Sequence, residues 1–432
     1  MLKSINLCLS ERSEPGAFRL LVLTSLLLGP LLFPALSAAV NLSGDSRTYL
    51  QSRETAIDQN ILGVYEYLDF AVQNVGNETI SFHTGGWLRY DLRDEQFGRK
   101  SNNDLQYSYL SFRAATDNTV VNLGRVMVFE GVASERVDGV YARTDMAAGF
   151  GISAFAGNPV ETNSDLSGND LIYGGRIGHQ GGDLYRIGVS ALKVEKDSDD
   201  YREEQGVDLW LHPMNKVDIT GRSSYNGVTK GWMEHAYALS LGPFDKVRLN
   251  TEASWINYDD YFFRATISAF ALQPGLLTPH EGVRILGQDI SYAATDKLYF
   301  TADYKNFNYD IAGNANYYGG KVNYAYSSVS GSGFSYHRME GESDRLQYDE
   351  YRLYGYTKID RTNLAVDLID ISYANAINGV DNSYSLSVAA LYDLNEAWKM
   401  GADAEYSRNP DFDRDVRAFV KVLYRFGSKG GV

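Results

Sequence analysis

Residues able to do chemistry are scattered along this chain rather than gathered into a motif. The six histidines are His83, His179, His212, His235, His280 and His337, and no two stand at metal-ligand spacing. The only cysteine is Cys8, so the chain can form no internal disulfide, no thiolate metal site and no Cys-x-x-Cys-His haem attachment. Gly-x-Ser-x-Gly, phosphate-loop and dinucleotide patterns are absent. Serine and aspartate are abundant enough that chance pairs are certain. No catalytic residue, cofactor or metal ligand is assigned, and the chain is expected not to be an enzyme.

What stands out instead is charge of both signs on one face of alternating segments. Arg89, Arg125, Arg176, Arg222, Arg248 and Lys305 share that face with Glu252, Asp303, Asp403 and Glu405. Arg186, Lys358, Lys421 and Arg425 extend the basic set, and Asp91, Asp208 and Asp218 the acidic one. Such side chains suit the lining of a water-filled lumen, where basic groups facing acidic ones set a transverse field for polar solutes. The competing reading is a packed interior in which the charges pair off. Burying them dry costs several kcal/mol for each unpaired ion, which favours water.

The elements that must position these charges are β-strands. Ile80, Phe82, Thr84, Gly86, Leu88, Tyr90 and Leu92 oppose Ser81, His83, Arg89 and Asp91. Val247, Leu249, Thr251, Ala253 and Trp255 oppose Arg248, Asn250, Glu252 and Ser254, and Trp398, Met400, Ala402, Ala404 and Tyr406 oppose Lys399, Asp403, Glu405 and Ser407. A soluble sandwich also alternates. These segments run to about ten residues, however, against five or six in soluble strands. Tyr90, Tyr258, Tyr304, Tyr392, Tyr406 and Tyr424 recur near segment ends, where a membrane barrel carries its aromatic girdles.

Short turns are expected near Asp117-Asn118, Gly181-Gly182, Met214-Asn215, Pro243-Phe244, Thr295-Asp296, Ser328 to Gly331, Asp360-Arg361 and Asn395-Glu396. Longer polar loops are expected at Arg93 to Asp104, Asn158 to Asp170, Glu195 to Gly206, Asp310 to Asn316, Glu340 to Gln347 and Asn409 to Asp413. The reading is all-β: a transmembrane antiparallel up-and-down barrel of about 20 strands, between about 18 and 22, with short periplasmic turns and long outer loops. Ser46 to Val75 is one strand or two, depending on whether Asp58-Gln59-Asn60 breaks it. The interval Tyr258 to Val283 is partly apolar, and is either a constriction folded into the lumen or an outer loop with a small cluster of its own.

Residues 1–39 read as an export signal, removed on cleavage. Lys3, Arg12 and Arg19 precede an apolar run from Leu20 to Leu36, and Ser37-Ala38-Ala39 supplies small residues for cleavage. A spanning helix is the alternative, but Pro30 and Pro34 interrupt the run. Residues 40–61 are then an N-terminal segment, periplasmic or the first strand, 62–427 the barrel and 428–432 a tail. A net charge of -15 excludes a basic nucleic-acid binder. Glu161, Asp165, Asp170, Glu195, Asp197, Asp199, Asp200, Glu203, Glu204, Glu340, Glu342 and Asp344 concentrate acid at the presumed mouth, as a cation-steering or docking surface or simply a soluble one.

The last strand, Val416 to Phe426, places Ala418, Val420, Val422, Tyr424 and Phe426 on one face. Val420, Val422, Tyr424 and Phe426 resemble the assembly signal of Gram-negative outer-membrane proteins, although Phe426 is followed by Gly427 to Val432. Over most of its length the organisation resembles porins and porin-like channels. Leu123-Gly124-Arg125, through Phe129-Glu130-Gly131-Val132 to Val137-Asp138-Gly139, is similar to passages in porin-like channels of metal-reducing proteobacteria.

The resemblance implies an outer-membrane channel for passive diffusion of small hydrophilic solutes or ions. The alternative is a barrel sheath around periplasmic or surface multihaem cytochromes in an electron conduit, and a third reading is an adhesin or receptor. The expected partners are outer-membrane lipid and lipopolysaccharide and the barrel-assembly machinery, with no nucleic acid, and the state is monomer or trimer.

Overall fold

The computed structural model describes residues 41–54, 60–73, 79–96, 98–114, 116, 118–160, 170–263 and 280–427. Residues 1–39, expected to be an export signal, and 428–432, expected to be a tail, lie outside them. The first strands are β1 (Asn41–Glu54), β2 (Asn60–Gln73), β3 (Ile80–Asp91), β4 (Ser101–Arg113), β5 (Thr119–Glu130) and β6 (Ala133–Asp145). Next come β7 (Phe150–Pro159), β8 (Leu171–Gly181), β9 (Tyr185–Lys196), β10 (Asp199–Met214), β11 (Val217–Asn226) and β12 (Gly231–Phe244). After β13 (Val247–Asn257) a single helical turn, α1 (Tyr258–Tyr261), opens the longest connection. Then follow β14 (Gly282–Ala293), β15 (Leu298–Tyr309), β16 (Gly313–Ser327), β17 (Ser330–Gly341) and β18 (Gln347–Ile359). β19 (Thr362–Ile377), β20 (Val380–Asp393), β21 (Trp398–Asn409) and β22 (Phe412–Gly427) complete the wall.

Each strand pairs antiparallel with its neighbours in sequence, and β22 pairs back onto β1 from Gly427↔Ser43 to Val416↔Glu54. The result is one closed barrel of 22 strands, at the upper end of the expected range. Closure is stapled by Arg53 Nη2 to Asp415 Oδ2 at 2.9 Å and Arg414 Nη2 to Glu54 Oε1 at 2.9 Å. Among the described residues no helix is long and apolar enough to cross a membrane.

Residues paired across a ladder share a face, which lets the rows be followed round the ring. One row runs Leu353, Leu368, Leu386, Tyr406, Val416. The row beside it runs Tyr354, Asp367, Ser387, Glu405, Arg417, Arg53. Leu353, Leu386 and Val420 are 53%, 40% and 50% exposed, which a regular apolar face tolerates when its solvent is lipid. The apolar rows therefore face outward and the charged rows inward. Trp398 stacks on Tyr424 at 4.2 Å near one end of the outward rows, and Tyr384 meets Tyr406 at 5.7 Å towards the other, in girdle positions.

The end where β1 begins, the inner end, carries the short turns expected of it. Ser46 to Val75 is two strands; Asp58 and Gln59 between them lie outside the described residues, and β1 makes residues 41–54 part of the wall. Outer connections are shorter than expected. Most of Glu195 to Gly206 is the end of β9 and the start of β10, joined by Asp197-Ser198, whose φ values of 51° and 73° suit a type I′ hairpin. Asp310 to Asn316, Glu340 to Gln347 and Asn409 to Asp413 also give up residues to strands. Strands that continue past the lipid belt meet water on both faces, so their alternation fades and polarity imitates a loop.

Candidate functional site

All but one of the residues expected to line a lumen fall on the inward rows. Arg176 donates from Nε to Asp208 Oδ1 at 2.9 Å, and Arg222 Nε lies 2.7 Å from Glu234 Oε1. Lys305 Nζ is 2.6 Å from Glu252 Oε1, and Lys421 Nζ is 2.5 Å from Asp403 Oδ2. Asp303 Oδ1 lies 3.0 Å from His337 Nε2, and Glu405 accepts from Ser385 Oγ at 3.4 Å. Arg248 sits inward beside Ser291. Arg89 is inward too but only 4% exposed, held beneath the connection after β3 by the backbone carbonyls of Gln96 and Arg99, each at 3.1 Å. It supports that connection rather than lining open space.

The charge pattern differs from two opposed walls. Partners stand on the same stretch of wall, so the sign alternates around and along the lumen. Pairs of this kind contribute roughly 0–1 kcal/mol each where water reaches them, and they keep the inner face wettable.

Arg125 is the exception, and its neighbourhood is where the wall departs from a plain cylinder. It lies on the outward row with Leu123 and Met127. The β4–β5 ladder runs only from Arg113↔Val120 to Ser108↔Arg125, leaving the outer half of β4 without β5 beside it. Across that seam Arg125 Nη1 donates to the Leu105 carbonyl at 3.0 Å while its Nε and Nη2 hold Asp138, and Arg136 Nη1 reaches Asp104 Oδ2 at 2.5 Å.

The outer half of β5 and β6 has folded into the lumen. Tyr141 donates to Glu130 Oε1 at 2.6 Å, and Arg143 Nη1 lies 3.6 Å from the same oxygen. Glu130 pairs with Ala133 at the hairpin tip, so on a straight hairpin Tyr141 would be roughly 26 Å away along β6, at about 3.3 Å per residue. The hairpin therefore doubles back. Its crease is the row Gly124↔Gly139↔Gly157, with Gly124 at φ 129°. Only glycine adopts that backbone at little cost, and a Cβ at Gly139 would strike the carbonyl of Ala156.

The folded tip is seated on the inner wall of β8–β10. Val132 N donates to Ser190 Oγ at 3.0 Å. Gly206 has no Cβ where one would strike the Val132 side chain, and Gly131 none where one would strike Ser190. Val126, Val128, Ala133 and Val137 pack with Phe155, Ile172, Leu192 and Val194, all at most 3% exposed. A large apolar side chain buried this fully contributes about 1.5–3 kcal/mol, more than an exposed ion pair, so the apolar contact sets the seat. Arg202 clamps its rim, with Nη1 2.6 Å from Glu135 Oε1 and Nη2 3.0 Å from Glu204 Oε2. Glu204, expected in an outer loop, is thus an inward residue of β10.

Alternation alone misses this hairpin, but two signals mark it. Val126-Met127-Val128-Phe129 is apolar on both faces, and glycines recur at matching register in β5, β6 and β7. In the long connection after β13, Asn226 Nδ2 donates to the Asp260 carbonyl at 3.0 Å and ties α1 to β11. Burial pushes the Tyr258 and Tyr261 hydroxyls above their ordinary range. Residues 264–279, where a constriction or an outer cluster was expected, lie outside the described residues, as do Glu161 and Asp165.

No protein family and no curated protein matches the chain by sequence. Among solved structures, a mutant of the ferric enterobactin receptor PfeA from Pseudomonas aeruginosa matches with TM-score 0.53 and 9% identity, over 90% of this chain and 81% of that one. OccAB4 from Acinetobacter baumannii matches with TM-score 0.46 and 10% identity, over 91% and 100%. OpdQ from Pseudomonas aeruginosa gives 0.45 and 10%, over 91% and 100%. The local resemblance to channels of metal-reducing proteobacteria gains no support from these matches. What the likeness to PfeA shows is the fold: this chain is built as an outer-membrane type β-barrel.

Proposed function

We propose that the chain is a passive channel of the bacterial outer membrane, through which small hydrophilic solutes or ions diffuse between the charged inner wall and the in-folded β5–β6 hairpin. The observation that carries this reading is the division of faces around a closed ring: ion-paired residues inward on nearly every strand, Leu, Val, Ala and aromatic residues outward. An inner face of that kind holds water, and a water-filled barrel conducts. The sheath reading gains no observation of its own, and the likeness to the receptor PfeA, at 9% identity, is one of fold. A hairpin seated against β8–β10 also takes up room that a threaded cytochrome would need.

The test is single-channel recording of the purified protein in a planar bilayer. Steady conductance proportional to salt is the expected result. Arg248→Gln, which removes an inward positive charge, is expected to shift the zero-current potential in a salt gradient toward cation preference. A protein that inserts and folds, yet passes no current at any salt concentration, would overturn the reading.

A further inference from the structure

Building on the channel reading, we propose that the β5–β6 hairpin is a hinged gate. It swings about the Gly124–Gly139 crease between its seat on the inner wall and the vacated edge of β4, narrowing the lumen in the first position and widening it in the second.

The wall holds a place for the hairpin. β4 and β5 share a ladder as far as Ser108↔Arg125, and beyond it β4 continues from Tyr107 to Ser101 beside β3 alone. Two arginines bridge the seam where backbone pairing would otherwise run: Arg125 on the Leu105 carbonyl and Arg136 on Asp104. Both contacts are made by long side chains that can let go without breaking a strand.

The hairpin carries faces for both positions. Seated, it buries Val126, Val128, Ala133 and Val137 but leaves Phe129 67% and Met127 44% exposed. Phe129 and Met127 continue the outward row of Val121 and Leu123, so in the wall they would meet lipid. Swinging outward thus uncovers the four buried side chains and the wall residues Phe155, Ile172, Leu192 and Val194 on which they pack, and in exchange covers Phe129 and Met127 and restores a strand ladder. Each position thus has favourable contacts of its own, apolar packing in the seat and backbone pairing with lipid contact in the wall, which is what a two-position element requires. The crease supplies the hinge, since Gly124 and Gly139 face each other in register and Gly124 already stands at a backbone angle closed to other residues.

Two cysteine pairs in a Cys8→Ser background test the gate. Val132→Cys with Gly206→Cys joins the tip to its seat, because a Cβ at Gly206 already runs into Val132. Asn103→Cys with Phe129→Cys joins outward positions that a restored ladder would bring together. Crosslinking is read by mass spectrometry in lipid vesicles, independently of current, and each locked form is then recorded in a bilayer before and after reduction.

The gate predicts that both pairs form. Conductance is expected to be roughly twofold or more higher in the wall-locked form than in the seat-locked form, because lumen area follows the wall. Reduction should return each to the unlocked level. Absence of the Asn103–Phe129 crosslink while the Val132–Gly206 crosslink goes to completion overturns the gate, as does equal conductance of the two locked forms when both conduct. Formation of both crosslinks with no current in any form upholds the swing and overturns the channel reading instead.

Discussion

At the scale of single residues, Glu66 is the side chain that the barrel's logic accommodates least. It stands on the outward row of β2, with Val64 and Leu68 at the neighbouring outward positions, where lipid surrounds the wall. Its two oxygens accept from Ser46 Oγ at 2.6 Å and Thr48 Oγ1 at 2.5 Å, hydroxyls that β1 presents on the same face. Those bonds offset part of the cost of an acidic group in hydrocarbon but add nothing that an apolar neighbour would not supply. Glu66→Leu is therefore expected to stabilise the barrel by about 1–2 kcal/mol, read as a higher midpoint of denaturant unfolding in vesicles. A lower midpoint would mean that the carboxylate holds something besides the two hydroxyls. Parity made most inward residues legible from the sequence, Arg176, Glu252 and Asp403 among them. Arg125 was misplaced because sign alone put it with the other arginines, whereas Leu123 and Met127, two positions away on either side, mark its row as outward.

At the scale of elements, strand existence was legible and strand ends were not. Alternation persists only where one face meets lipid and the other water, so it locates the belt and says little about the extensions above it. Asp199 to Gly206 reads as an acidic loop for that reason, although its residues pair with β9. Asn378-Gly379, at φ 52° and 77°, is a two-residue hairpin turn that its residue types do announce. The in-folding of β5 and β6 was hidden for a different cause. It depends on the glycines of three strands coming into register, a fact of pairing rather than of any one segment. Gly124→Val puts a β-branched residue at φ 129° and is expected to destabilise the barrel by about 1–3 kcal/mol. Val388→Ala, on the outward row of β20 and far from the crease, serves as the control in the same unfolding measurement. Equal small losses in both variants would mean that the crease relaxes freely and stores no special geometry.

At the scale of the whole molecule, closure and strand number set what the interior can be. Barrels of about 16–18 strands already leave an aqueous channel, and diameter grows with strand number, so an unfilled ring of 22 would be a wide hole. On the channel reading, the in-folded hairpin narrows that hole even when it is still. Arg125 and Asp138 pair in register one position past the crease, so residues 126–137 can be replaced by an Asn-Gly turn while the β5–β6 ladder on the wall side of the crease is kept. The shortened chain keeps the ladders below the crease and the β1–β22 closure, and heat-modifiable migration on a gel would report that the barrel has formed. Its unit conductance is expected to rise, and the size of neutral polymer that enters the lumen to rise with it. A folded variant with unchanged conductance and unchanged exclusion size would place the narrowest section elsewhere along the wall. The hairpin would then be a packed brace for the flank between β4 and β10, where an unbraced sheet of this width would be free to flatten.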